Sequence, residues 1–267
     1  MNLFSTWKTF IVLKYKMAFE YKGAFWAATF SQVLWYGVDF LLMWVLVSRF
    51  KTLAGWSADE IIFLYSIHLI TYAAAGTFFF NSCISLSGRV QSGAFDDSLM
   101  VPLHPLLYEV MSNYNTDYIR HICLAVIVFI VSLVRLDLAF NPLKIVLLIL
   151  FLIGGTLIQA GALLIFSAPN FWIIRGDKLL DLFYYETITF IRYPISIYPV
   201  VLQGILTFVL PYSFINFYPA GYFLGKNDFT IFHPSLQYLT PLVGCIVFAF
   251  GVFFWNRGLK KYQSTGS

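Results

Sequence analysis

Between Lys144 and Arg175 the sequence contains no charged residue. A segment of that kind has few ways to fold. An α-helix rises about 1.5 Å per residue, so about 20 apolar residues cross the roughly 30 Å hydrocarbon core of a bilayer. Comparable apolar stretches recur, and six spans are expected at 24–48, 61–84, 118–136, 143–168, 197–217 and 239–256. Composition agrees: 60% of residues are hydrophobic and 11% charged, against just under half and about a quarter in a soluble domain. The fold class expected is an all-α integral membrane protein.

Residues 1–23 precede the first span. At 100° per residue Leu3, Trp7, Phe10, Ile11, Ala18 and Tyr21 share one side, with Thr9, Lys16 and Glu20 opposite. This is the pattern of an amphipathic helix lying in the membrane interface, with Lys14 on the apolar side and obliged to snorkel. With the N-terminus inside, only Arg49, Lys51, Arg135, Lys144 and Lys226 of the 17 basic residues fall outside. The positive-inside rule then favours both termini, including the tail 257–267, in the cytoplasm. The net charge of +4 is dispersed, so it is no signal for nucleic acid. Cys83, Cys123 and Cys245 sit in separate apolar stretches and read as packing residues, not a disulfide framework.

The fifth span is interrupted. Pro194, Pro199, Pro211 and Pro219 break the apolar run of 193–225, and each proline removes a backbone donor and disfavours helix before it. In lipid the freed groups need partners from protein or a water-filled passage. A short cytoplasmic helix near 177–192, a span, and a re-entrant piece near 218–225 are expected, with one long kinked helix as the alternative.

Catalytic patterns are absent from the sequence. His68, His104, His121 and His233 have no ligand-spaced partners. Gly221-Tyr-Phe-Leu-Gly225-Lys226-Asn227 falls one residue short of a phosphate loop and has Asn where Ser or Thr would hold magnesium. The two glycines read instead as a helix-packing pair. Asp39 in the first span is either a polar element of a path or subunit interface, or an acid reaching headgroup water. Gln159 and Asn81 read as interhelical hydrogen-bond residues, or as lining of a path. Trp56, Tyr114, Tyr118, Trp172, Tyr238 and Trp255 fit an interfacial aromatic belt.

The longest connection on the inner side is 86–116. From Ser87 to Met100 it can form a surface helix with Arg89, Asp96 and Asp97 toward water and Phe95, Leu99 and Met100 as apolar anchors, stopped by Pro102 and Pro105. It is either an ordinary solvated loop or a plug for a groove on a soluble partner.

Two stretches carry a resemblance. Gly93-Ala-Phe95-Asp96-Asp97-Ser-Leu99-Met-Val-Pro102 is similar to a Gly-x-x-Asp-x-x-Leu-x-x-Pro pattern. Tyr193-Pro194 to Tyr198-Pro199, with Pro211 and Tyr218-Pro219-Ala220, is the other. With the span layout they make the chain resemble the ABC-2-type transporter permeases, with a type V exporter-like fold. The chain departs from that pattern at Val101 and Gln203, where a basic residue is expected.

The resemblance implies a permease subunit without its own ATPase, in the plasma (inner) membrane of a bacterium and surrounded by lipid. A second permease chain, identical or related, would pair with it on two copies of an ABC ATPase. ATP and magnesium would belong to the ATPase, with no cofactor on this chain. The segment holding Arg89, Gly93, Phe95, Asp96, Asp97, Leu99 and Pro102 would couple the two proteins. A translocation path would run by Asp39, Gln159 and the broken region of Tyr193, Pro194, Tyr198, Pro199, Pro211 and Pro219. The alternatives from the residues are a secondary transporter or channel built on the proline-broken region, a lipid-modifying enzyme, or a scaffold subunit.

Overall fold

The computed structural model describes residues 3–20, 22–50, 52–173, 176–226 and 231–263. Helices dominate: α1 (Leu3–Glu20), α2 (Lys22–Phe50), α3 (Ala58–Gln91), α4 (Asp96–Leu99), α5 (Pro105–Ser112), α6 (Asp117–Arg135), α7 (Pro142–Phe171), α8 (177–192), α9 (Val200–Val209), α10 (Ser213–Leu224) and α11 (Thr240–Leu259). Among the described residues α3, α6, α7 and α11 are long and apolar enough to cross a membrane, and α9 with α10 adds a fifth candidate if the bent pair counts as one span. The first expected span falls on α2, a 29-residue helix many of whose side chains lie outside the described residues.

Contacts at the helix ends define two ends of a bundle. At the far end Ser57 and Glu60 form a reciprocal cap at the start of α3, satisfying backbone donors that a helix start leaves open. There Arg135, closing α6, pairs with Asp59 at 3.3 Å, and Lys226, just past α10, lies 3.1 Å from Glu60. At the other end α3 leads into α4 and α5, and the last turns of α11 meet them. Both α1 and the C-terminal turns after α11 lie toward this end: Phe10 contacts Tyr108 of α5, and Tyr262 contacts Phe95.

The apolar stripe of α1 faces protein. Trp7, Phe10, Ile11 and Lys14, at helical spacing, are half-buried, while Lys8, Thr9, Lys16 and Glu20 are exposed. Leu3, Ala18 and Tyr21 have side chains outside the described residues.

The tightest packing joins α7 and α11. Gly154 and Gly161 on one helix oppose Gly244 and Gly251 on the other, each pair set seven residues apart. A Cβ on Gly154 would lie 2.7 Å from the Thr240 carbonyl, and one on Gly161 2.7 Å from that of Val247. Close backbone approach of this kind holds apolar helices together where lipid offers no hydrophobic contrast. The glycine pair expected to do this, Gly221 and Gly225, does not. Nothing lies within 4 Å of a Cβ at Gly225, whose φ of 66° makes it the left-handed stop of α10.

The region 177–224 departs most from expectation. The helix at 177–192 is present, and one face of it packs into the bundle. Tyr184 is fully buried and donates to Gln159 of α7 at 3.1 Å, so α8 climbs into the bundle. The span expected at 197–217 contains a reversal. Tyr212 donates to the Phe183 carbonyl at 2.7 Å and Asn216 to that of Ile191 at 2.7 Å. The chain thus ascends along α8, returns through α9, and ascends again along α10, with 106° between α9 and α10.

Pro194, Pro199 and Pro211 explain the bends. Each follows a residue held extended or near-extended: Tyr193 at ψ 160°, Tyr198 at ψ 159° and Leu210 at ψ 88°. Pro219, expected to break the chain, sits inside α10. The Ile215 carbonyl, which a fourth-residue N–H would have bonded, faces Gly155, where a Cβ would lie 3.1 Å away. Elsewhere side chains bond the carbonyls of the bent region: Tyr198 bonds Phe190 at 2.9 Å, Gln203 bonds Tyr198 at 2.8 Å and Ser213 bonds Leu206 at 2.9 Å. Buried backbone groups must find such partners.

The aromatic belt is largely a core. Trp56, Tyr114, Tyr118 and Trp255 are buried, and only Trp172 and Tyr238 are exposed.

Candidate functional site

The connection 86–116 folds as an elbow. α3 ends at Gln91, and Gly93 adopts φ 75°, a left-handed turn that costs glycine little. A single turn, α4, follows; then extended His104 and Pro105 start α5, proline being suited to the first helical position. The expected single helix over Ser87–Met100 is therefore two pieces, split at Gly93.

Arg89 is drawn inward instead of facing water. Its guanidinium grips the carboxylate of Glu109 from α5, and its other nitrogen donates to the Ala94 carbonyl at 3.2 Å and to Ser98 Oγ at 3.0 Å. The Ser98 hydroxyl donates to Glu109, and Asn113 Nδ2 does so at 2.8 Å. A carboxylate on a side chain 2% exposed is tolerable only with such a full set of donors. The return of the elbow is fixed as well. The π-helical turn Gly76–Phe80 in α3 leaves the Thr77 carbonyl to accept from Asn115 N–H at 3.0 Å, and Asn115 Nδ2 bonds Asn81 Oδ1 at 3.0 Å.

Phe95 is wholly buried. Its ring centroid lies 5.3 Å from Phe171, 5.1 Å from Tyr262 and 6.2 Å from Trp255. It therefore anchors the elbow to α7 and to the end of α11, and is not available to a partner or to lipid. Asp96 accepts from the Tyr262 hydroxyl at 2.9 Å. The surface is left to Asp97, Leu99, Met100 and Pro102, with Met100 77% exposed.

A second feature lies inside the bundle: a cavity of about 500 Å³ between α2, α3, α6 and α8. Tyr36 of α2 hydrogen-bonds His121 of α6, whose ring stacks on Tyr118 at 5.0 Å. Arg120 pairs with Asp117 at 2.9 Å and lies over the Phe25 ring at 5.0 Å. His68 of α3, ringed by Tyr65 and Tyr72, and Tyr185, Thr189 and Arg192 of α8 complete the polar lining.

A family model described as ABC-2 family transporter protein matches residues 33–266. The chain belongs to that family. The ABC-2 protein is thus a membrane component of an ABC transporter, of the kind that works with an ABC ATPase partner. No curated protein and no solved structure matches it.

In this ABC-2 protein the expected coupling residues all lie on the elbow, but they divide. Gly93 makes the turn, Arg89 and Phe95 hold it from within, Asp96 ties it to Tyr262, and Asp97, Leu99 and Pro102 face out. The expected path residues are dispersed. Asp39 has a side chain outside the described residues. Gln159 is fully buried and bonded to Thr71 at 2.9 Å and to Tyr184. Tyr193, Pro194, Tyr198 and Pro199 form the bend after α8. Pro211 borders a separate apolar pocket of about 620 Å³, and Pro219 lies within α10. Gln203, at a position where the resemblance leads one to expect a basic residue, is buried and bonds the Tyr198 carbonyl. Sequence reading missed Glu109, whose signal is a lone acid in the otherwise uncharged Pro105–Ser112, and missed His68, Arg120, His121 and Tyr185 as neighbours.

Proposed function

We propose that this chain is the permease subunit of an ATP-driven exporter in a bacterial plasma membrane. It pairs with a second permease chain, identical or related, and docks through the elbow on two copies of an ABC ATPase. ATP and magnesium are bound by the ATPase, and none is needed here. One observation carries the reading: the elbow is braced from within by Arg89 and Glu109 and bolted to α7 and α11 through Phe95, while Asp97, Leu99, Met100 and Pro102 face outward. A surface of mixed charge and apolar tips on a stiff mount suits transmission of a push.

The alternation of helix ends supports six crossings, with α8, α9 and α10 together making the fifth. Both termini then share the cytoplasmic side with the elbow, and α1 lies along the inner interface. The path for cargo runs beside Asp39, Gln159 and the bends at Tyr193-Pro194, Tyr198-Pro199, Pro211 and Pro219.

The test is co-purification of the detergent-solubilised chain from its native membrane. A soluble ATPase carrying a phosphate-loop motif is expected to accompany it and to be lost on Asp97→Lys with Met100→Ala, without a change in thermal unfolding. A solitary chain under every nucleotide condition would overturn the reading and favour a secondary transporter built on the α9–α10 break.

A further inference from the structure

Every glycine in α3, α7 and α11 except one sits where a neighbour leaves no room: a Cβ on it would lie 2.9 Å or closer to another atom. The exception is Gly88. It is exposed in the last turns of α3, with nothing within 4 Å of a Cβ, although glycine is unfavourable in a helix interior. Ile84, Gly88 and Gln91 form a stripe at i, i+4 and i+7, and all three are exposed. This stripe is one wall of a groove of about 420 Å³, and Asp177, Lys178 and Asp181 in the first turns of α8 are the other. Ser87 and Leu180, both buried, line it as well. Asp181 engages Lys178 at 3.0 Å, whereas the Asp177 carboxylate has no hydrogen bond or ion pair among the described residues. The groove runs on into the elbow, since Gly88, Gln91, Ser92, Ala94 and Asp97 are all exposed.

We propose that this groove is a second contact surface for the ABC ATPase. It receives a segment that sets an apolar side chain against Ile84, passes close over bare Gly88 and brings a lysine or arginine to Asp177. Three observations select this occupant. The groove is continuous with the outward side of the elbow. A glycine that nothing in this chain requires admits the close approach of another chain. The Asp177 carboxylate calls for a cation and repels the phosphates of lipid headgroups. The inference rests on the permease reading, which names the ATPase as partner, and adds a contact outside the elbow.

The experiment purifies the ATPase that accompanies the full chain from its native membrane, identified by its phosphate-loop motif, and titrates it onto the detergent-solubilised chain. Gly88→Trp fills the groove, and Asp177→Lys reverses the charge on its α8 wall. Each should weaken binding about tenfold or more without lowering the midpoint of thermal unfolding. Cys123→Ser, on an exposed position of α6, should leave binding unchanged. Benzoylphenylalanine in place of Lys178, whose side chain is 70% exposed, should crosslink to the ATPase under light. Wild-type affinity in both folded variants, or a crosslink to lipid alone, would overturn the proposal and leave docking to the elbow. A wild-type chain that binds no ATPase would overturn the permease reading, and this inference with it.

Discussion

Arg89 and Glu109, 20 residues apart in the chain, meet across the elbow in an ion pair whose carboxylate side chain is 2% exposed. Arg89→Ala strands that carboxylate, which costs about 3–5 kcal/mol when one partner of a buried pair is removed. Replacing both, Arg89→Met with Glu109→Leu, should cost far less, because no charge is left behind. Thermal unfolding of the wild type, Arg89→Ala and the double variant in detergent measures the difference; a double variant as unstable as Arg89→Ala would contradict it.

Gly154→Ala and Gly244→Ala press a methyl into the facing backbone of the α7–α11 seam. Overpacking of this kind costs about 1–3 kcal/mol, read as a lowered midpoint of unfolding. Gly88→Ala is the control. Nothing lies within 4 Å of a Cβ there, and alanine in a helix gains about 0.5–1 kcal/mol over glycine.

Asn216 donates to the carbonyls of both Leu64 and Ile191, at 3.3 and 2.7 Å. Asn216→Ala should leave both acceptors without these donors and destabilise by about 1–3 kcal/mol. Protease cleavage within 193–212 should rise in parallel, since this side chain ties α10 to α8.

Orientation is open to labelling. In a variant with Cys83, Cys123 and Cys245 replaced by serine, Asp97→Cys should react with a membrane-impermeant maleimide only in inside-out vesicles. Thr52→Cys, exposed before the far-end cap, should react only in right-side-out vesicles. The reverse pattern would invert the proposed topology.

Much of the helical layout is legible in the sequence because apolar length alone sets it: α6, α7 and α11 follow the expected stretches closely. Burial is not legible in the same way. Trp56 and Trp255 look like interfacial residues because lipid and protein core are equally apolar, and only contacts such as Trp56 with Phe217 at 5.7 Å separate them. The prolines announce a broken segment but not its path, because whether a proline bends a helix depends on what lies beside the freed carbonyl, as Gly155, with no side chain, lies beside that of Ile215. Glu109 is hidden for another reason: its partner lies on the other arm of a turn, and a single acid in a short helix reads as solvated. The cavity draws three to five residues, at helical spacing, from each of four helices, but a stripe of mixed polar and aromatic residues on one helix does not say which other stripes it faces.

The glycine seam leaves α7 and α11 no slack. Helices that touch backbone to backbone cannot turn about their own axes without driving neighbouring side chains into each other, so the two behave as a single rod. Phe95 is wedged beside Phe171 and Trp255, at one tip of that rod. A force on the elbow therefore acts as a lever on the whole length of the pair, and the far tip, where Thr240 bonds the Phe214 carbonyl of α10 at 3.1 Å, moves with it.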